Sequence, residues 1–164
     1  MTTVDSSLLR VLRDVTIFGG VSERHLRWIA DQCTFVTRTT GDVIIREKEP
    51  GTDIFIMLRG RVKIVLDLDK DPFEVVEFGP GSCLGEVSVI GILNHSASAV
   101  ATEDCDLMVL SKRVLLEVVR RDKELFSLLI LNIARELARR LHYTDAILLH
   151  YGKLKQGGRR HQPA

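Results

Sequence analysis

The chain has 164 residues, 45% hydrophobic and 27% charged; 23 lysines and arginines against 22 aspartates and glutamates leave a formal charge of +1. That length suits one domain of roughly 100–200 residues with a core that needs no metal or disulfide staple. The composition excludes wholesale disorder, no apolar run approaches the roughly 20 residues of a membrane span, and the near-zero charge speaks against a dedicated nucleic-acid or membrane surface.

Met1 to Arg13 carries Asp5, Arg10 and Arg13 around a short apolar stretch, unlike the uncharged core of a signal peptide. Leu8, Leu9, Val11 and Leu12 sit at helical spacing behind Ser6 or Ser7. After the Gly19-Gly20 break, Ser22 is placed to cap a second helix over Glu23 to Ala30. Residues 1–32 are therefore expected to be helical.

Residues 33–111 read as short β-rich runs between turn residues: Val43 to Ile45, Ile54 to Leu58, Val62 to Leu68, Phe73 to Phe78, Ser98 to Thr102 and Leu107 to Leu110. Strands at intervals of about 8–12 residues with glycine or proline turns indicate a β-sandwich or barrel, with no room for the helical crossovers of a parallel sheet. Helix returns over residues 112–154, with Ser111 and Asp122 as caps, and residues 155–164 read as a flexible tail. The whole of 1–154 is expected to be one domain. Cys33, Cys83 and Cys105 are dispersed, without Cys-x-x-Cys spacing, and suit free thiols in a reducing cytoplasm.

Along the last helix, Ile130, Ala134, Leu137, Leu141, Thr144, Leu148 and Tyr151 follow steps of 4, 3, 4, 3, 4 and 3. This narrow stripe, flanked by Arg135, Glu136, Arg139, Arg140 and Asp145, fits a two-stranded coiled coil and hence a homodimer better than a broad core-facing helix side. Thr144 is the polar member: its hydroxyl either bonds its own helix backbone or meets something polar.

The segment from Phe78 through Gly85-Glu86-Val87 to Ile90 sets a glycine after a strand and before a helix-compatible run. Such a turn offers unpaired N–H groups to an anion. Glu86 then has two readings, a favourable partner of the helix dipole or an acceptor for a sugar hydroxyl.

Gly41-Asp42-Val43-Ile44, Pro50-Gly51-x-Asp53-Ile54-Phe55-Ile56, Arg59-Gly60-x-Val62, Phe78-Gly79-Pro80-Gly81, Leu84-Gly85-Glu86 and Ser98-Ala99-Val100-Ala101, in that order and spacing, resemble the cyclic-nucleotide-binding domain family. Leu137-Ala138-Arg139-Arg140-Leu141-x-x-Thr144 is similar to the dimer helix of its bacterial activators, and the resemblance runs from about Ile17 to Tyr151. It implies a mainly β, α+β fold: a double-stranded β-helix jelly-roll barrel with N-terminal helices and a long C-terminal dimerisation helix. It implies a cyclic AMP or cyclic GMP ligand, with no metal, held by the cassette Leu84 to Ala99. Gly85 would face the cyclic phosphate, Glu86 the ribose 2′-hydroxyl and Thr144 the base, with Val87 and Ala97 as apolar wall.

The family pattern has a phosphate-pairing arginine ten or eleven residues after the cassette glycine, where this chain has His95 and Ser96. An imidazole of ordinary pKa is mostly neutral at pH 7 and lacks the guanidinium fork. Losing a charge-assisted bond of about 1.5–3 kcal/mol weakens binding roughly tenfold to a hundredfold or more. Three outcomes are open: His95 and Ser96 make a weaker site that tightens in acid, Arg140 reaches in to compensate, or the pocket no longer takes a cyclic nucleotide.

The expected function is a non-enzymatic, cytoplasmic regulatory module, a homodimer that binds cyclic AMP or cyclic GMP and signals to a separate protein partner. The expected pivot between the β-layer and the long helix is Arg120 to Leu125. The chain ends soon after that helix, so no helix-turn-helix reader of DNA is expected, and no catalytic signature is present. Alternatives are a ligand-free dimeric scaffold, or a haem or redox sensor using Cys83 and His95 as axial ligands or the three cysteines as thiol switches.

Overall fold

The structure, a computed structural model, describes the backbone of residues 5–159 and the side chains of residues 5–145. Helix α1 spans Ser6–Asp14, and its cap is Asp5 rather than a serine: Asp5 Oδ1 accepts from the Leu8 amide at 2.9 Å and from Ser7 Oγ at 2.8 Å. A carboxylate at this end also meets the positive pole of the helix, which a hydroxyl does not exploit. Ser22 caps α2 (Glu23–Gln32), Ser111 caps α4 (Lys112–Arg121), and Asp122 Oδ1 accepts from Leu125 N at 2.9 Å to start α5 (Lys123–Arg159). Helix α3 is the short run Glu86–Gly91.

Eight strands lie between α2 and α4: β1 (Thr34–Arg38), β2 (Val43–Ile45), β3 (Asp53–Arg59), β4 (Val62–Leu66), β5 (Phe73–Phe78), β6 (Cys83–Leu84), β7 (Ser98–Ala101) and β8 (Cys105–Ser111). They form two four-stranded antiparallel sheets, ordered β1-β8-β3-β6 and β2-β7-β4-β5. The fold is the expected jelly roll with helices at both ends, but its sheets do not close into a barrel. The outer strands explain this: β6 has only two residues, paired with Phe55 and Ile56 of β3, too short to bridge to the second sheet.

The period of two along the central strands divides the core. Met57 of β3 and Cys105 and Leu107 of β8 point between the sheets, where they meet Ile45, Val62, Leu84, Ala99 and Ala101. Ile54 and Ile56 of β3 and Met108 and Leu110 of β8 point the other way, onto a helical layer that includes Leu12, Leu26, Ile29, Val114, Val118 and Leu129. One sheet is thus buried on both faces. On the other, β5 lies at the edge and exposes Phe73, Val75 and Val76.

Helix α5 is anchored by its first turns. Leu125, Leu129 and Ile133 are buried, and the buried Asn132 Nδ2 donates to the carbonyls of Ile17 (3.2 Å) and Gly19 (2.7 Å). Within the expected heptad stripe, Ile130 and Leu137 pack against this layer while Ala134, Leu141 and Thr144 are exposed. Leu148 and Tyr151 lie outside the described side chains. The helix backbone continues to Arg159, past the expected end near Leu154, and 160–164 lie outside the described residues.

Candidate functional site

Strand β6 ends at Leu84, and Gly85 turns the chain into α3 with a left-handed backbone at φ +85°. A Cβ there would stand 2.7 Å from the Asp53 carbonyl oxygen, so both the turn and the close approach of β3 require glycine. From the other side the Pro50-Gly51 turn packs onto α3 so tightly that a Cβ on Gly51 would overlap Ser88. These contacts fix the direction in which Glu86 leaves the backbone.

Glu86 is 1% exposed. Its Oε1 receives Arg140 Nη1 at 2.5 Å, and its Oε2 is buried with no hydrogen-bond partner among the described residues. Burial raises the Glu86 pKa above its ordinary 4.5, outweighing the opposing pull of Arg140. Arg140 reaches this point from α5 and is held on every side. Its Nη2 donates to the Cys83 carbonyl at 2.8 Å, its Nε to Glu136 Oε1 at 3.1 Å, and its guanidinium lies 4.7 Å from the Phe78 ring centroid.

His95 sits across the turn, its backbone tied at both groups: its N–H donates to Glu49 O and its carbonyl accepts from Lys48 N, each at 2.8 Å. Burial lowers its imidazole pKa below 6.5, against the weaker opposing effect of Glu49. Thr144 Oγ1 donates to Arg140 O at 2.9 Å, so of its two readings the structure has the bond to its own helix.

Leu84, Gly85, Glu86, Val87, His95, Ser96, Ala97, Arg140 and Thr144 all border one cavity of about 340 Å³, at the low end of the roughly 300–1,000 Å³ of small-molecule sites. Ile45, Ile64, Val76 and Phe78 complete its apolar wall. Sequence reasoning assigned no role to these four, nor to Glu136 and the Cys83 carbonyl that hold Arg140. Only Glu136 carried a local signal, one helical turn before the arginine. A wider groove of about 430 Å³ runs between α1 and the β1–β8–β3 face, but Arg59 and Asp106 on its rim satisfy each other at 2.7 Å.

The thiols belong to the packing. Cys83 is fully buried against the helical layer rather than in the cavity with His95, so the two are not arranged as axial ligands. Burial pushes the Cys83 and Cys33 thiols up to about 12 and raises Cys105 as well, a direction that favours the protonated thiol over the nucleophilic thiolate. Among the described residues no cluster of three metal-ligating side chains occurs, and no helix is long and apolar enough to cross a membrane.

Comparisons with known proteins agree with this arrangement. The cyclic AMP receptor protein of Thermus thermophilus is 32% identical over 106 residues, 64% of this chain and 47% of its own length. Human cGMP-dependent protein kinase 2 is 28% identical over 124 residues, 74% of this chain but 16% of the kinase. The chain therefore spans about half of the first relative and a small part of the second. A solved cyclic nucleotide-binding domain from Methylobacillus flagellatus has the same fold, with a TM-score of 0.78 at 24% identity, covering 88% of this chain and 82% of that one. The family model for the cyclic nucleotide-binding domain matches residues 36–122, just over half of the sequence and the stretch that holds the turn, Glu86 and His95. The chain belongs to the cyclic nucleotide-binding domain family.

Proposed function

We propose that this protein is a regulatory module that binds cyclic AMP or cyclic GMP in the cavity at Gly85 and Glu86, acts as a homodimer through α5, and signals to a separate protein. The observation that carries the reading is the state of Glu86. A buried carboxylate with one oxygen unpartnered calls for a hydroxyl donor, and a ribose 2′-hydroxyl is such a donor. Its other oxygen is held by Arg140 of α5, so a ligand that alters Glu86 acts directly on the long helix. Val87, Ala97, Ser96 and His95 would border the sugar and phosphate, and Thr144 the base.

The exposed apolar residues of α5 support the dimer. Leu131, Ala134 and Leu141 continue at spacings of three and seven along one side, and none is covered by the protomer's own core. Titration calorimetry with cyclic AMP and cyclic GMP at pH 6 and 7.5 tests the binding function. Saturable binding of one of them, lost in Glu86→Ala, is expected, and no heat from either at millimolar ligand refutes it. If Glu86→Ala and Thr144→Ala instead leave partner binding unchanged, the ligand-free scaffold is the better reading.

A further inference from the structure

A cyclic nucleotide carries a negative charge on its phosphate, and a partly dry site that holds it needs a spare cation or a set of donors. Around this cavity the charges already cancel. Glu86 and Glu136 both bind Arg140, and Arg139 Nη2 donates to the other oxygen of Glu136 at 2.5 Å. Arg140 is the one lysine or arginine bordering the cavity among the described residues, and its Nη1, Nη2 and Nε are all engaged. Turning it toward a phosphate would strip the buried Glu86 of its partner. His95 offers a neutral imidazole in place of a guanidinium. The N–H groups of the Gly85 turn and the Ser96 hydroxyl are neutral donors, and helix α3, with six residues and fewer than two turns, adds only a weak dipole to them.

The groups suited to the rest of a nucleotide are complete by contrast. Glu86 Oε2 is a buried acceptor without a donor, and Ile45, Ile64, Val76 and Phe78 form apolar walls for a flat ring. We infer that the cavity accepts an uncharged ribonucleoside and holds it at least as tightly as the matching 3′,5′-cyclic nucleotide. The inference rests on the reading that Glu86 takes a ribose hydroxyl, and goes beyond it by giving the phosphate no share of the affinity.

The test is titration calorimetry on the full chain at pH 7.5 with adenosine, guanosine, their 2′-deoxy forms, cyclic AMP and cyclic GMP. The expected result is one nucleoside that binds as tightly as its cyclic monophosphate or more tightly, and whose 2′-deoxy form is weaker by about tenfold or more. His95→Arg should then raise the ratio of cyclic-nucleotide to nucleoside affinity by about tenfold or more; an unaltered ratio counts against the inference. A cyclic nucleotide that binds the wild-type chain more tightly than its nucleoside overturns the inference and leaves the proposed function standing. Undiminished binding of the 2′-deoxy form overturns the inference and the ribose role given to Glu86, and no binding by either class at millimolar concentration overturns the inference and the proposed function.

Discussion

Arg140 and Glu86 are 54 residues apart in sequence, and Nη1 of the first lies 2.5 Å from Oε1 of the second. This pair joins the end of the β-layer to the long helix. Removing the arginine leaves a buried carboxylate without compensation, at a cost of about 3–5 kcal/mol, whereas replacing both partners by neutral groups costs far less. Arg140→Met is therefore expected to lower the denaturation midpoint sharply. Adding Glu86→Gln to that variant should recover much of the loss. A double variant no more stable than Arg140→Met would show that the ion pair contributes little.

His95 gives the site a pH dependence of defined sign. Its folded pKa is lowered by burial, so the unfolded chain binds the proton more readily. The stabilisation is complete above the ordinary value of 6.5 and is lost as pH falls from there through the folded pKa. Glu86, raised by burial, works in the opposite direction, so the comparison needs His95→Asn as control. Denaturation between pH 5.5 and 7.5 should show a loss in the wild type that the variant lacks. Cyclic-nucleotide affinity should rise over the same fall in pH, because the anion favours the imidazolium, while nucleoside affinity should not.

Gly85→Ala introduces a side chain at φ +85° and 2.7 Å from the Asp53 carbonyl oxygen. Backbone strain alone costs about 1–3 kcal/mol, and relieving the contact moves α3 away from β3. Both the denaturation midpoint and ligand binding are expected to fall. Wild-type affinity in this variant would show that the cassette turn does not orient Glu86.

Leu141 is 63% exposed on the side of α5 that the protomer leaves uncovered. Leu141→Glu is expected to convert a dimer into a monomer in light scattering, because a charge in an apolar seam opposes association. As a surface substitution in the protomer it should change the far-ultraviolet circular dichroism little. An unchanged mass would remove α5 from the interface.

The parts of this fold that follow from local chemistry were legible in the sequence. Ser22, Ser111 and Asp122 each stand one residue before a periodic apolar run, and each accepts a hydrogen bond from the amide three residues on. The parts that follow from partners were not. Thr34–Arg38 has strand-forming residues but not the alternation of a half-buried strand, since Phe35 and Val36 are adjacent, and its place is set by pairing with β8 from Thr34↔Val109 to Arg38↔Cys105. Cys83–Leu84 is too short for any periodicity. At the cavity, the glycine turn and Glu86 stood out through motif order. The engagement of Arg140 by Glu136, Phe78 and the Cys83 carbonyl depends on how α5 crosses the sheet, which no local pattern records.

The two bonds from Asn132 to the carbonyls of Ile17 and Gly19 limit where the long helix can yield. A pivot at Arg120 to Leu125 would have to withdraw Leu125, Leu129 and Ile133 from the core, at about 1.5–3 kcal/mol for each side chain, and break both bonds as well. The described contacts therefore clamp the helix through Ile133 and tie it to the site one and two turns further on, through Glu136 and Arg140. In the proposed function each residue beyond that clamp adds about 1.5 Å of lever, so a slight tilt started at Arg140 would grow steadily toward Arg159.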